Sequence, residues 1–120
     1  MWQYRSASGE LLHNGVHVGY GYAGHGAGKN QPAMENIHDI GPIPRGNWLI
    51  LGPPSDTTGH GPYVLRLIAF PGTQTFGRGG FLIHGDSVSA PGTASLGCIV
   101  LAPDVRHAIW MSGDHGLVVE

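Results

Sequence analysis

The sequence predicts a single, mainly β domain over residues 1–120, with one short helix near its C-terminus. Three observations lead there. Twenty-one glycines and 9 prolines stand against only 12% charged residues, a turn-rich composition poor in amphipathic helix. The apolar residues fall in short runs of strand length, separated by Gly, Pro, Asn, Ser and Thr clusters. One segment alone combines helical spacing with start and stop signals. A chain of 120 residues that is 41% apolar folds rather than staying disordered, and buries about two thirds of its unfolded surface.

The elements follow in order. In "ELLHNGVHVGYGY", Asn14-Gly15 sits between alternating apolar and polar residues, the pattern of a two-residue hairpin whose turn positions need positive φ. This predicts strands over 10–13 and 16–22. Residues 23–46, AGHGAGKNQPAMENIHDIGPIPRG, lack periodicity and form a long ordered loop, a feature usually tied to function in compact domains. Further strands are predicted over 47–51 (NWLIL), 63–70 (YVLRLIAF), 80–84 (GFLIH), 99–101 (IVL) and 116–119. The helix is "APDVRHAIWMSG": Pro103 at its start, Asp104 in the first turn, Val105, Ala108 and Ile109 at helical spacing, and Gly113 as its stop.

Composition excludes several functions. Six basic against eight acidic residues leave a net charge of −2, with no footprint for nucleic acid or an anionic membrane. No stretch approaches the roughly 18 apolar residues of a membrane span, and the start, MWQYRSASGE, lacks a signal peptide's basic and apolar regions. A chain working outside the cytoplasm would need another carrier. "GYGYAG" matches a dinucleotide fingerprint but is followed by HGAGKNQP, which cannot open the required helix; "GHGAGKN" lacks a P-loop's first glycine and its Ser/Thr. His13 and His17 have the spacing of a helical zinc pair, yet Asn14-Gly15 puts them on opposite arms of a hairpin, so neither metal nor cofactor is expected.

The remaining chemistry lies in "IHGDSVSAPGTASLGCIVL", which holds the only cysteine, Cys98, 14 positions after His84. Free cysteine is often just a small buried apolar residue, and that reading competes here. The context favours a nucleophile. A strand ending in Phe81-Leu82-Ile83 delivers His84, Gly85 permits close backbone approach behind it, and the Ser95-Leu96-Gly97 turn places Cys98 before the next strand. An imidazole there can take the thiol proton, leaving a competent thiolate. Gly97 would let the Gly97 and Cys98 amides turn inward as an oxyanion hole, worth about 3 to 4 kcal/mol per donor.

"IHG…SLGCIVL", with "GPIPRGNW" upstream, resembles the L,D-transpeptidase catalytic domain, whose motif is a His followed by Ser/Thr-x-Gly-Cys. "GYAGHGAGKNQPAMENI" followed by "GPIPRG" is similar to the small L,D-transpeptidase-like effectors delivered by type VI secretion systems, and the resemblance runs from about residue 2 to 112. It implies a β-sandwich or barrel, a peptidoglycan stem peptide as substrate and cysteine acyl transfer at its diaminopimelate position. By position, Cys98 becomes the nucleophile, His84 the base, Gly97 part of the oxyanion hole and Ser95 the hydroxyl ordering the Cys loop. A backbone carbonyl commonly orients the imidazole in such enzymes, with Asp86 the side-chain alternative. Many members carry His where this chain has Leu96 and Arg where it has Val100. The substrate carboxylate held by that Arg is assigned to Arg78, and Tyr22 and His25 are expected to line the cleft from the long loop.

The expected activity is therefore L,D-carboxypeptidase or L,D-transpeptidase, by a monomer carried without a signal peptide into a target bacterium's periplasm. A secretion-apparatus component and a cognate immunity protein are the expected partners beyond the stem peptide. Two alternatives stay open. A phage-type peptidoglycan cysteine peptidase or amidase usually has Cys before His, at a helix N-terminus. A non-catalytic wall-binding module of the same fold would need no thiol, and inertness of Cys98 to iodoacetamide at neutral pH is the expected sign of it.

Overall fold

The computed structural model describes residues 1–120. It contains strands β1 (Trp2–Arg5), β2 (Glu10–His13), β3 (Val16–Tyr20), β4 (Gly46–Ser55), β5 (Val64–Ala69), β6 (Leu82–His84) and β7 (Ile99–Val100), helix α1 (Pro103–Met111) and a last strand β8 (Gly116–Val119). All eight strands belong to one sheet, in the order β3-β2-β1-β8-β4-β5-β6-β7. The sandwich or barrel expected from the sequence is more narrowly a half-barrel, a single sheet curled over its own core.

The two sheet edges meet at one antiparallel bridge, where Tyr22 N–H donates to the Val100 carbonyl at 3.2 Å and Val100 N–H to the Tyr22 carbonyl at 2.8 Å. Gly21 makes this meeting possible: a Cβ there would lie 2.0 Å from the Val100 oxygen. One bridge thus draws the long loop after β3 onto β7, beside the cysteine.

Strand alternation explains the core. Trp2 and Tyr4 on β1, Trp48 and Ile50 on β4, and Leu117 and Val119 on β8 point inward, while the residues between them face out or lie half-buried. Leu65, Leu67, Phe81, Ile83 and Ile99 continue the same core under the far end of the sheet. Each such side chain contributes about 1.5–3 kcal/mol on full burial.

Most predicted elements lie where the pattern put them, and the exceptions have causes. The hairpin turn has Asn14 at φ 50° and Gly15 at φ 83°. The strand predicted for 16–22 ends at Tyr20, and that predicted for 80–84 starts at Leu82. β1 was not predicted: its four residues form no recognisable run alone, and its partners, β2 and the parallel β8, are distant in sequence for β8. β4 continues past Leu51 to Ser55 because a register shift against β5 accommodates Pro53 and Pro54. In α1 the buried residues are Arg106 and Ile109, whereas Ala108 is exposed. Gly113, at φ 69°, follows its C-cap as predicted.

Candidate active site

The parallel register of β6 and β7 sets Ile83 opposite Ile99 and His84 opposite Val100. Both isoleucines enter the core, so pleat alternation turns His84 and Cys98 toward the other face of the sheet. There the two line one cleft of about 250 Å³, together with His38, His60, Phe81 and Leu96. The 13 residues between His84 and Cys98 form a loop closed by strand pairing.

Each reactive group also has its own backbone partner. His84 Nδ1 lies 2.8 Å from the Gly85 carbonyl; in the neutral ring Nδ1 is then the donor and Nε2 keeps the free lone pair. Gly85's carbonyl thus orients the imidazole, and Asp86 makes no hydrogen bond to it. Cys98 Sγ accepts the Leu82 N–H at 3.3 Å, and its own proton is directed to the Gly80 carbonyl at 4.0 Å. Thiol and imidazole thus share the cleft without being hydrogen-bonded to one another in the resting protein.

Electrostatics keep both groups neutral. Burial, with lesser contributions from His60 and Arg106, lowers the His84 pKa below its ordinary 6.5. Burial raises the Cys98 thiol above its ordinary 9.0, against the opposing pull of the Leu82 and Cys98 amides and the Arg78 charge. At neutral pH the pair is a thiol with a free base, so any attack requires proton transfer to His84 rather than a preformed thiolate.

A pH profile checks this. The acid limb of kcat/KM is expected at a lower pH than the ordinary imidazole value of 6.5, because burial keeps His84 unprotonated at that pH, and iodoacetamide alkylation of Cys98 should accelerate only above pH 9. A thiolate titrating below pH 7 contradicts the neutral pair. Slow alkylation at neutral pH is accordingly the behaviour expected of this site even as an enzyme, so inertness does not mark a non-catalytic module.

The turn before Cys98 is organised by Ser95, which is fully buried. Its Oγ accepts the N–H groups of Gly24 at 2.9 Å and Gly97 at 3.0 Å and donates to the Cys98 carbonyl at 2.7 Å. One hydroxyl therefore ties the long loop to both ends of the turn. The Gly97 N–H, occupied by Ser95, is not free for an oxyanion, which leaves the Cys98 amide from the expected pair. Gly97 serves packing instead: at φ 141°, a Cβ would lie 2.6 Å from Arg78 Nη2 and 3.0 Å from Phe81.

The remaining predicted residues occupy different places. Arg78 lines the same cleft as Cys98 but is only 7% exposed, with Nη1 donating to the Glu35 and Pro42 carbonyls and Nη2 to those of Gly41 and Leu96. Both terminal nitrogens are thus occupied by backbone, so Arg78 joins the long loop to the Cys turn instead of presenting a fork to a carboxylate. Tyr22 donates through its hydroxyl to Asp86 at 2.5 Å and accepts the Ala94 N–H at 2.9 Å. Asp86 also receives the amides of Ser87 and Gly92, which makes it the organiser of its own loop. Tyr22 and Asp86 line a neighbouring, second cleft, and His25 is exposed and lines neither.

The Tlde1 domain family model matches residues 17–115. The chain belongs to the Tlde1 domain family. That name is the one borne by type VI secretion L,D-transpeptidase effectors. The match takes in His84, Ser95, Gly97 and Cys98 and begins within β3. Comparison with curated protein sequences returns no match.

In this Tlde1 domain two groups stand at the clefts that no sequence signal singled out. His60 stacks on His84 with ring centroids 4.7 Å apart and lines both clefts. It comes from "TTGHGP", a turn without periodicity whose fold over β6 depends on tertiary structure. Arg106 is buried on α1 and lines the second cleft. Its position in a helical pattern was visible, but a charge there reads as solvent-facing. The other paired histidines serve elsewhere: His13 stacks on Trp2 and bonds Asp114, and His17 bonds Glu10.

Proposed function

We propose that this domain is a cysteine acyl-transfer enzyme that acts on the peptidoglycan stem tetrapeptide as an L,D-carboxypeptidase or L,D-transpeptidase. The observation that carries the reading is a neutral imidazole with its Nε2 free, set in one cleft with the only thiol of the chain. Membership of the Tlde1 domain family supports the substrate class.

Sγ attacks the carbonyl preceding the terminal D-alanine while its proton passes to His84 Nε2. The tetrahedral oxyanion forms beside the Cys98 amide. Collapse breaks the C–N bond, His84 returns its proton to the leaving amine, and D-alanine departs from a Cys98 thioester. Water resolving that thioester makes a carboxypeptidase, and an amine makes a transpeptidase. The chain acts as an antibacterial effector reaching the periplasm of a target cell through a type VI apparatus, with a cognate immunity protein in the producer.

Incubating the protein with disaccharide tetrapeptides and reading product masses tests the reaction. The expected products are the tripeptide or a D-amino-acid exchange product; unchanged muropeptides, or a cut inside the tripeptide, would refute it. For the effector role, periplasm-directed expression in a susceptible bacterium should be toxic for the wild type and harmless for Cys98→Ala, and equal effects of the two count against it.

A further inference from the structure

Beside the candidate catalytic cleft lies a second of about 680 Å³, and His60 lines both. Arg106 lies in its lining, only 3% exposed. Nη1 donates to the Pro62 carbonyl at 2.9 Å and, more weakly, to that of Tyr63 at 3.4 Å, which anchors one end of the guanidinium. Nε has no partner at all. Nη2 makes no hydrogen bond to protein and lies against Gly85, where an added Cβ would come within 3.0 Å of it. Arg106 takes part in none of the ion pairs of the molecule.

A buried guanidinium with free donors and no counter-ion is costly unless an anion completes it. A second feature favours the same ligand. Ala102, the N-cap of α1, and Pro103, its first residue, line this cleft; the Asp104 and Val105 amides of the first turn have no intrahelical acceptor, and no side-chain cap bonds them. The carboxylate already at the rim, Asp86, is occupied by Tyr22, Ser87 and Gly92.

We propose that the second cleft is an anion subsite in which Arg106, supported by the N-terminus of α1, binds a free carboxylate of the peptide whose scissile bond lies at Cys98. The proposal rests on the stem-peptide reading above. It gives the carboxylate a partner in a chain with Val100 where many L,D-transpeptidases have arginine and with Arg78 occupied by backbone. The carboxylate is either the terminal one of D-alanine or one carried on the peptide's side chains.

Calorimetry with the Cys98→Ala protein, which cannot turn over, separates these sources. The probes are the stem tetrapeptide, its C-terminal amide and its side-chain amides. One amidation is expected to weaken binding at least tenfold, identifying the carboxylate, and Arg106→Gln should reduce that preference below twofold. Equal binding of all forms, or an undiminished preference in Arg106→Gln, overturns the subsite. Should Arg106→Gln not fold, the Arg106 Nε–H resonance of labelled Cys98→Ala protein decides: it is expected to move with the free acid and stay with the critical amide, and a resonance indifferent to both contradicts the proposal. Wild-type turnover is measured separately. Turnover without any carboxylate preference sinks the subsite alone, and a preference without turnover sinks the acyl-transfer reading alone.

Discussion

Cys98→Ala is expected to abolish release of D-alanine from a tetrapeptide, while His84→Gln keeps a residual rate about 10²–10⁴-fold below wild type. The difference follows from the separate jobs of the two groups. Without Sγ no thioester forms and no other side chain in the cleft replaces it as a nucleophile. Without His84 the thiol persists, but its pKa is raised by burial, so little thiolate is available at neutral pH. Raising the pH should therefore recover part of the His84→Gln rate and none of the Cys98→Ala rate. Steady-state kinetics from pH 6 to 10 would show this, and a His84→Gln enzyme indistinguishable from wild type at neutral pH would remove His84 from the mechanism.

Ser95→Ala is expected to lower stability by about 2–5 kcal/mol, since it strips one buried hydroxyl from two amide donors and one carbonyl. For a domain of this size that is a fall in Tm of roughly 10 °C or more. Activity should fall as well, because the same hydroxyl holds the turn that presents Cys98. Ser95→Thr keeps the hydroxyl and should recover most of both. Calorimetric melting with parallel rate measurements tests the pair; an Ala variant with unchanged Tm and rate would show that the turn holds its shape without Ser95.

The legible parts of the molecule were those encoded locally. Asn14-Gly15 marked its hairpin because positive φ at two successive positions selects those residues. Pro103 and Gly113 bracketed α1 for similar local reasons. The strands carrying Trp48, Leu65 and Leu117 were visible through alternation. β1 was not, because four residues hold too little pattern until β8 lies beside them. Within the site, His84 and Cys98 were singled out through their turn and strand context, and the fold sets both at one cleft with Arg78. Its charge marked a candidate for substrate, and only the folded long loop, with its carbonyls converging on Arg78, showed what the guanidinium holds.

The sequence by itself determined a mainly β domain with one short helix, and a single thiol in a glycine turn downstream of a histidine at a strand end. Tertiary structure decided how these were assembled: one curled half-barrel sheet, closed by the Tyr22–Val100 bridge, with β6 and β7 in the parallel register that turns imidazole and thiol into one cleft. It also decided that Gly97 donates to Ser95, that His60 covers His84 and that Arg106 waits unpaired in the neighbouring cleft. The physical reason is range. Turn and helix signals depend on backbone preferences within a few residues, but hydrogen-bond partners and burial are set by segments tens of residues apart.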